Sequence, residues 1–234
     1  MLIISQQFQN NKGNYNMFNK SDKNPKLNMS FDFNEIFQDE LLQIDTVGRD
    51  ESYSNNIRYP YQPTPYVILD KIIESGMLNN SEHLIDFGCG KGRVAFYLSD
   101  RCSNIEITGV EEVKRFYNNA IKNRNNFVKK DMVHFINKSA ESYSIPNNAD
   151  TFFFFRPFSI STMKQVIDNI SSSYIKNPRN LKLIFYYLTE EYIMFLSSID
   201  GMTLTADIDC RDIMQKDDKR YRIFVYEINI TNKS

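Results

Sequence analysis

Leu84-Ile85-Asp86-Phe87-Gly88-Cys89-Gly90-Lys91-Gly92-Arg93 decides how this 234-residue chain is read. An apolar run closes on an acid, three glycines alternate, and a helical pattern begins at Val94, Ala95, Tyr97 and Leu98. That order spells a strand, a tight turn and a helix N-terminus. The chain has eight glycines, so three within five residues mark a backbone that needs positive φ or close approach by a ligand. The unpaired N–H groups of the following helix favour a polar or anionic ligand group at the turn.

A dinucleotide-binding turn requires G-x-G-x-x-G, and Arg93 stands where the third glycine belongs. A Walker loop requires Gly-Lys-Ser/Thr, which is missing here. Acid-Phe-Gly-Cys-Gly-x-Gly instead resembles the first motif of the class I S-adenosylmethionine (SAM) methyltransferases. The resemblance implies that Asp86 lies near the cofactor's amino-acid end, and that Gly88, Cys89, Gly90 and Gly92 form the turn admitting methionine and ribose. The bland reading is a glycine turn with no ligand.

Composition allows one domain with an added segment. Hydrophobic residues make up 41% and charged residues 24%, and the formal net charge is −1, which offers no general attraction for nucleic acid or acidic lipid. Cys89, Cys102 and Cys210 show no paired spacing, so a reducing compartment and no metal site are expected. The opening Met1-Leu2-Ile3-Ile4 is too short for a signal-peptide core, and no apolar run nears the ~20 residues of a membrane span. These features place the chain in the cytoplasm, with no membrane or DNA partner.

Residues 1–30 are rich in Asn, Gln and Lys and read as a flexible tail, for which Met17 and Met29 offer alternative starts. Residues 31–78 read as a helical and extended lead: Phe31, Phe33, Ile36, Phe37, Leu41 and Leu42 trace a helix face, and Ile44 to Gly48 a turn. The stiff run Tyr59-Pro60-Tyr61-Gln62-Pro63-Thr64-Pro65 follows, with Thr64 as a cap and Leu69, Ile72 and Ile73 on the next helix. This lead is expected to close over the cofactor.

Residues 79–234 alternate strand and helix. Ile105 to Val110 is a strand ending at Glu111, about 20 residues past the glycines, where an acid can take ribose hydroxyls or simply start a helix. Val133 to Ile136 is the third strand, and the aromatic run Thr151 to Phe155 is a central strand covered on both faces. Ser161 is a candidate cap for the helix carrying Met163, Val166, Ile167 and Ile170. Leu181 to Leu188 makes a fifth strand, and Met202 to Ile208 and Arg222 to Ile230 are joined by a charged hairpin, Lys216 to Arg220. The fold class is α/β: a Rossmann-like, mostly parallel seven-stranded sheet with helices on both faces and one antiparallel strand near the C-terminus.

The resemblance extends further. Ile44-Asp45-Thr46-x-Gly48, Tyr61-x-Pro63-Thr64, the glycine turn through Val94, Gly109-Val110-Glu111, Pro157-Phe158 and Pro178-Arg179 are similar to a little-characterised bacterial branch of class I methyltransferases. That branch is distantly similar to the non-SET protein-lysine methyltransferases. The resemblance implies SAM as cofactor, an unidentified acceptor (a protein or small molecule ahead of RNA), and cofactor contacts at Thr64, Glu111, Ala140, Glu141 and Phe155. Tyr59, Tyr61, Phe155 and Phe158 could wall the transfer site, and Tyr61 and Arg156 are the candidate catalytic residues.

Arg156 departs from the branch, which has asparagine there to accept a hydrogen bond from the target nitrogen. Arginine only donates and is always charged, so it cannot orient an amine in that way. It fits an acidic substrate, a salt bridge to a carboxylate, or lost activity. Two other readings therefore stand beside the enzyme: a catalytically silent SAM-binding regulator, and an RNA methyltransferase using Lys114, Arg115, Lys122, Arg124, Lys129 and Lys130. His83 and His134 read as structural.

Overall fold

A computed structural model describes residues 29–52, 60–156 and 158–228. The tail up to residue 28, Tyr59, Pro157 and the residues beyond Ile228, where the last strand was expected to reach Ile230, lie outside the described residues. The compact unit Asn34–Ser234 holds the sheet.

The described strands are β1 (His83–Phe87), β2 (Glu106–Val110), β3 (Val133–Ile136), β4 (Thr151–Phe155), β5 (Leu181–Tyr186), β6 (Met202–Asp209) and β7 (Arg222–Ile228). They form one sheet in the order β3-β2-β1-β4-β5-β7-β6. The first five are parallel, and β7 runs antiparallel to both of its neighbours. The sheet expected from sequence is thus present. The order reverses between β1 and β4, and beyond the carboxyl ends of strands at such a point an open α/β sheet leaves a crevice.

The aromatic run of β4 is explained by its neighbours. Phe154 lies in register between Phe87 and Phe185. Its ring stacks on both, at 5.3 and 4.7 Å between centroids. This cross-strand ladder shares a cluster with Met163, Val166, Ile167 and Ile170 of α5 (Ile160–Lys176). Alternate residues turn to the opposite face, where Phe135 meets Phe96 of α3 (Arg93–Arg101) at 5.4 Å. Helices therefore cover both faces, and the inner strands are apolar on both.

The remaining helices are α1 (Met29–Leu42), α2 (Tyr66–Glu74), α4 (Lys114–Asn126), α6 (Glu190–Ser197) and α7 (Arg211–Met214). Several local expectations are corrected. Of the apolar face expected for α1, Leu42 is buried but Phe37 and Leu41 are exposed, while Glu35 and Asp39, one turn apart, are buried. Thr64 does not cap α2; Pro65 occupies the cap position, and Tyr66 N–H finds its acceptor at Glu35 Oε1, 3.0 Å away. Ser159, not Ser161, caps α5, accepting from Thr162 N–H. Strand β5 stops at Tyr186 because Tyr187 turns to φ 66°. The connection from β6 to β7 contains the short helix α7 in place of a simple hairpin. Among the described residues no helix is long and apolar enough to cross a membrane.

Candidate active site

The glycine turn leaves β1 beside β2, with Gly88 and Cys89 N–H both donating to the Val110 carbonyl at 2.8 and 3.2 Å. Gly88, Gly90 and Gly92 all take positive φ, at 78°, 57° and 92°. Their reasons for being glycine differ. A Cβ on Gly92 would lie 2.6 Å from the Phe135 ring and 2.8 Å from Phe96, and one on Gly90 would lie 2.4 Å from Tyr61. Those two are small so that protein can pack on them. A Cβ on Gly88 meets nothing nearer than Phe158 at 3.7 Å, so the open approach in this turn is over Gly88. Cys89 turns its sulfur toward the sheet, where a Cβ on Gly109 would come within 2.7 Å of it.

Asp86 is buried one residue before the end of β1, and its Oδ2 has no hydrogen-bond partner. Burial, helped by the nearby Glu111 carboxylate, pushes the Asp86 carboxyl up to about 8. Glu111 is held differently: Oε2 accepts from Gly90 N–H at 2.8 Å and Oε1 from Val113 N–H at 2.7 Å. It therefore braces the glycine turn against the start of α4, a job the sequence reading did not foresee.

Arg93 is the larger omission. Sequence reading saw in it a missing glycine and one residue of the branch's motif, with no role of its own, yet it is almost fully buried. Its guanidinium pairs with Glu35 and, at 3.4 Å, with Asp39. It also donates to Thr46 Oγ1 at 2.7 Å and to the Thr64 carbonyl at 3.3 Å, and lies 4.2 Å from the Tyr66 ring centre. Asp39 in turn accepts from Thr46 and Val47 N–H and from the Tyr66 hydroxyl. One side chain from the first turn of α3 thus ties Glu35, Asp39, Thr46, Thr64 and Tyr66 to the glycine turn. Arginine suits it because five planar donors can serve several acceptors at once. The signal in the sequence was the i, i+4 acid pair Glu35 and Asp39.

The strand ends, the glycine turn and the lead enclose a cavity of about 420 Å³, a size usual for small-molecule sites. Its lining includes Thr64, Asp86, Gly88, Cys89, Gly90, Glu111, Ala140, Glu141 and Phe155 of the expected cofactor residues, along with Tyr61 and Arg156. Gly92 is absent from the lining, consistent with its place beneath Phe135. Thr64 and Ala140 are buried, while Glu141 is exposed at the rim. Phe155 packs on Tyr186, with ring centres 5.0 Å apart. The Tyr61 ring covers Gly90 and sits 4.8 Å from Phe116, and its hydroxyl donates to the Thr46 carbonyl at 2.6 Å. Burial pushes that hydroxyl well above its usual pKa, so it is a fixed donor.

Arg156 has no carboxylate partner among the described residues. Its Nη1 donates to Gln62 Oε1 at 3.1 Å, and the guanidinium lies 4.3 Å from the Tyr187 ring centre. Gln62, Lys138 and Thr162 also line the cavity and were not anticipated. Neither histidine does: His83 bonds Thr108 and Asn148, and His134 faces Glu106 at 3.4 Å. The basic residues along and beyond α4 are partly drawn into the fold. Arg115 pairs with Asp50, Arg124 donates to the Val133 carbonyl, and Lys129 donates to the Ser99 and Asp100 carbonyls.

No protein-family model matches the sequence, and no curated protein matches it. Solved structures do match the fold. The glycopeptide N-methyltransferase MtfA, solved with SAM, aligns at a TM-score of 0.56 and 8% identity, covering 70% of this chain and 87% of that one. A human methyltransferase 10 domain containing protein aligns at 0.55 and 11% identity, covering 87% and 98%. An RNA methyltransferase from Salinibacter ruber, solved with S-adenosyl-L-homocysteine, aligns at 0.52 and 16% identity, covering 74% and 96%. The chain therefore has the class I SAM-dependent methyltransferase fold.

Proposed function

We propose that the chain is a SAM-dependent methyltransferase. The observation that carries this reading is the buried Asp86 oxygen without a partner, beside the open approach over Gly88 at the switch point of the sheet. An unpaired carboxylate in a cavity suits a cationic amino group, which would stabilise its charged form. The methyltransferase fold supports the same assignment.

In this reading Asp86 receives the amino group of the cofactor's methionine end, and Gly88 provides the close approach. Glu111, which braces Gly90, also accepts from the ribose hydroxyls. Ala140 and Glu141 flank the base, and Thr64, Cys89 and Phe155 complete the walls. SAM supplies a methyl group activated on a sulfonium. What the chain adds is alignment: holding nucleophile and methyl in line lowers the barrier without an acid–base triad. Tyr61, its hydroxyl committed to Thr46, acts as a wall and shuts water out.

Calorimetry with SAM and S-adenosylhomocysteine tests the assignment. One site of micromolar affinity, about −8 kcal/mol, is expected, and Glu111→Ala should lose about 1–3 kcal/mol of it. Preference for NAD would overturn the reading. Labelled SAM added to a cell extract, then split into protein, RNA and small molecules, identifies the acceptor class. A silent SAM-binding protein is the second reading, favoured by the arginine at position 156; binding without transfer to any fraction would select it. RNA is less favoured as acceptor because Arg115, Arg124 and Lys129 already have protein partners.

A further inference from the structure

We infer that the acceptor carries a carboxylate and that Arg156 receives it, a deepening of the methyltransferase reading that rests on it. Arg156 directly follows β4 and Tyr187 directly follows the adjacent β5. Both take positive φ, 45° and 66°, a backbone state that long and aromatic side chains seldom adopt. Such outliers persist only where the surroundings hold them, and they gather at functional sites. Here Arg156 N–H donates to the Tyr186 carbonyl at 3.4 Å and Tyr187 N–H to the Arg222 carbonyl at 3.1 Å. Paired turns at adjacent strand ends thus set a guanidinium over an aromatic ring at the cavity wall.

The ring beneath is itself fixed. Tyr187 hydroxyl donates to Asp218 Oδ2 at 2.7 Å, and Arg220, paired with the same Asp218, lies 4.6 Å from the ring centre. Neighbouring arginines all have their charge answered: Arg93 by Glu35 and Asp39, Arg220 by Asp218, Arg222 by Asp207 and Asp209. Arg156, half-buried, meets the neutral Gln62 oxygen and the Tyr187 face and, among the described residues, no carboxylate. A guanidinium has five donors in a planar fork, and Gln62 takes one. The rest of the fork matches a carboxylate, which can accept two parallel hydrogen bonds. A cationic acceptor such as a lysine amine would be repelled. Aromatic walls at Phe155 and Phe158 favour an acceptor with an apolar body.

Benzoate and benzyl alcohol, one carrying the carboxylate and one lacking it, probe the site in protein saturated with S-adenosylhomocysteine. Titration followed by NMR should find benzoate binding at least about tenfold tighter than the alcohol. Arg156→Gln should reduce that ratio below about twofold, and Arg156→Lys, which keeps the charge but loses the fork, should leave an intermediate ratio. S-adenosylhomocysteine affinity should stay within about threefold in both variants. Equal binding of the two probes to wild type would overturn the inference, as would an unchanged ratio in Arg156→Gln. A fall of tenfold or more in S-adenosylhomocysteine affinity would instead assign Arg156 to the cofactor's own carboxylate. Phenyl phosphate binding more tightly than benzoate would make the anion a phosphate and overturn the carboxylate assignment. Failure of wild type to bind S-adenosylhomocysteine at all would strike the methyltransferase reading itself. Thermal melts establish that each variant is folded, and Arg156→Lys carries the comparison if Arg156→Gln is not.

Discussion

Replacing Asp86 with asparagine should flatten the pH dependence of stability while it weakens cofactor binding. The Asp86 carboxyl rises from an ordinary 3.8 to about 8 in the folded chain, through burial first and the Glu111 charge second. The fold therefore keeps a proton that the unfolded chain releases, so stability is greatest below the unfolded value and falls as pH rises toward 8. Each unit of pH in that window costs about 1.4 kcal/mol, which makes the change from pH 5 to pH 8 about 4 kcal/mol. Asparagine does not titrate. Its buried amide adds a constant penalty of about 1–3 kcal/mol, so the diagnostic quantity is the slope, not the offset. Urea unfolding of both ligand-free proteins at pH 5, 6, 7 and 8 should show the variant gaining on wild type at every step. Calorimetry should show S-adenosylhomocysteine bound to wild type with proton release below pH 8, and at least about tenfold more weakly by Asp86→Asn, about 1.4 kcal/mol. Parallel stability curves for the two proteins would refute the reasoning, because Asp86 would then titrate as an exposed acid does.

Arg93→Ala should destabilise by about 3–5 kcal/mol in chemical unfolding, because Glu35 and Asp39 lose the cation that neutralises them in the interior; Arg93→Lys should recover only part of this. Gly92→Ala should lower the melting temperature more than Gly88→Ala, since both strain a positive φ but only the first drives a methyl into Phe135 and Phe96. Gly88→Ala should in turn cost more in SAM affinity, by calorimetry, than its stability loss explains. Tyr61→Phe keeps the ring on Gly90 and removes only the bond to Thr46, so stability should fall by about 0.5–1.5 kcal/mol with turnover changed less than about threefold; a hundredfold loss would make the hydroxyl a chemical participant.

The strand–turn–helix around Asp86, the alternation of strand and helix and the antiparallel last strand were all legible in the sequence, because they are local patterns. Apolar runs, glycine spacing and helical periodicity act over a few residues, and a sheet buried on both faces enforces them. What only the tertiary structure decided was which partners long side chains such as Arg93 and Arg156 find across 29 to 94 residues of chain. Arg93 read as a defect in a fingerprint, and became the hub of the lead segment once α1 turned Glu35 and Asp39 inward. Glu35 and Asp39 of α1 were buried beside Leu42 while Phe37 and Leu41 were left outside, against the expectation from hydrophobicity alone. Three glycines that looked equivalent proved to serve different neighbours. Arg156 could be placed just past a central strand from the sequence, but its Gln62 contact and its seat on Tyr187 depend on two strand ends brought side by side by the sheet. A guanidinium's environment is set by whatever the fold assembles around it, and no local pattern specifies that.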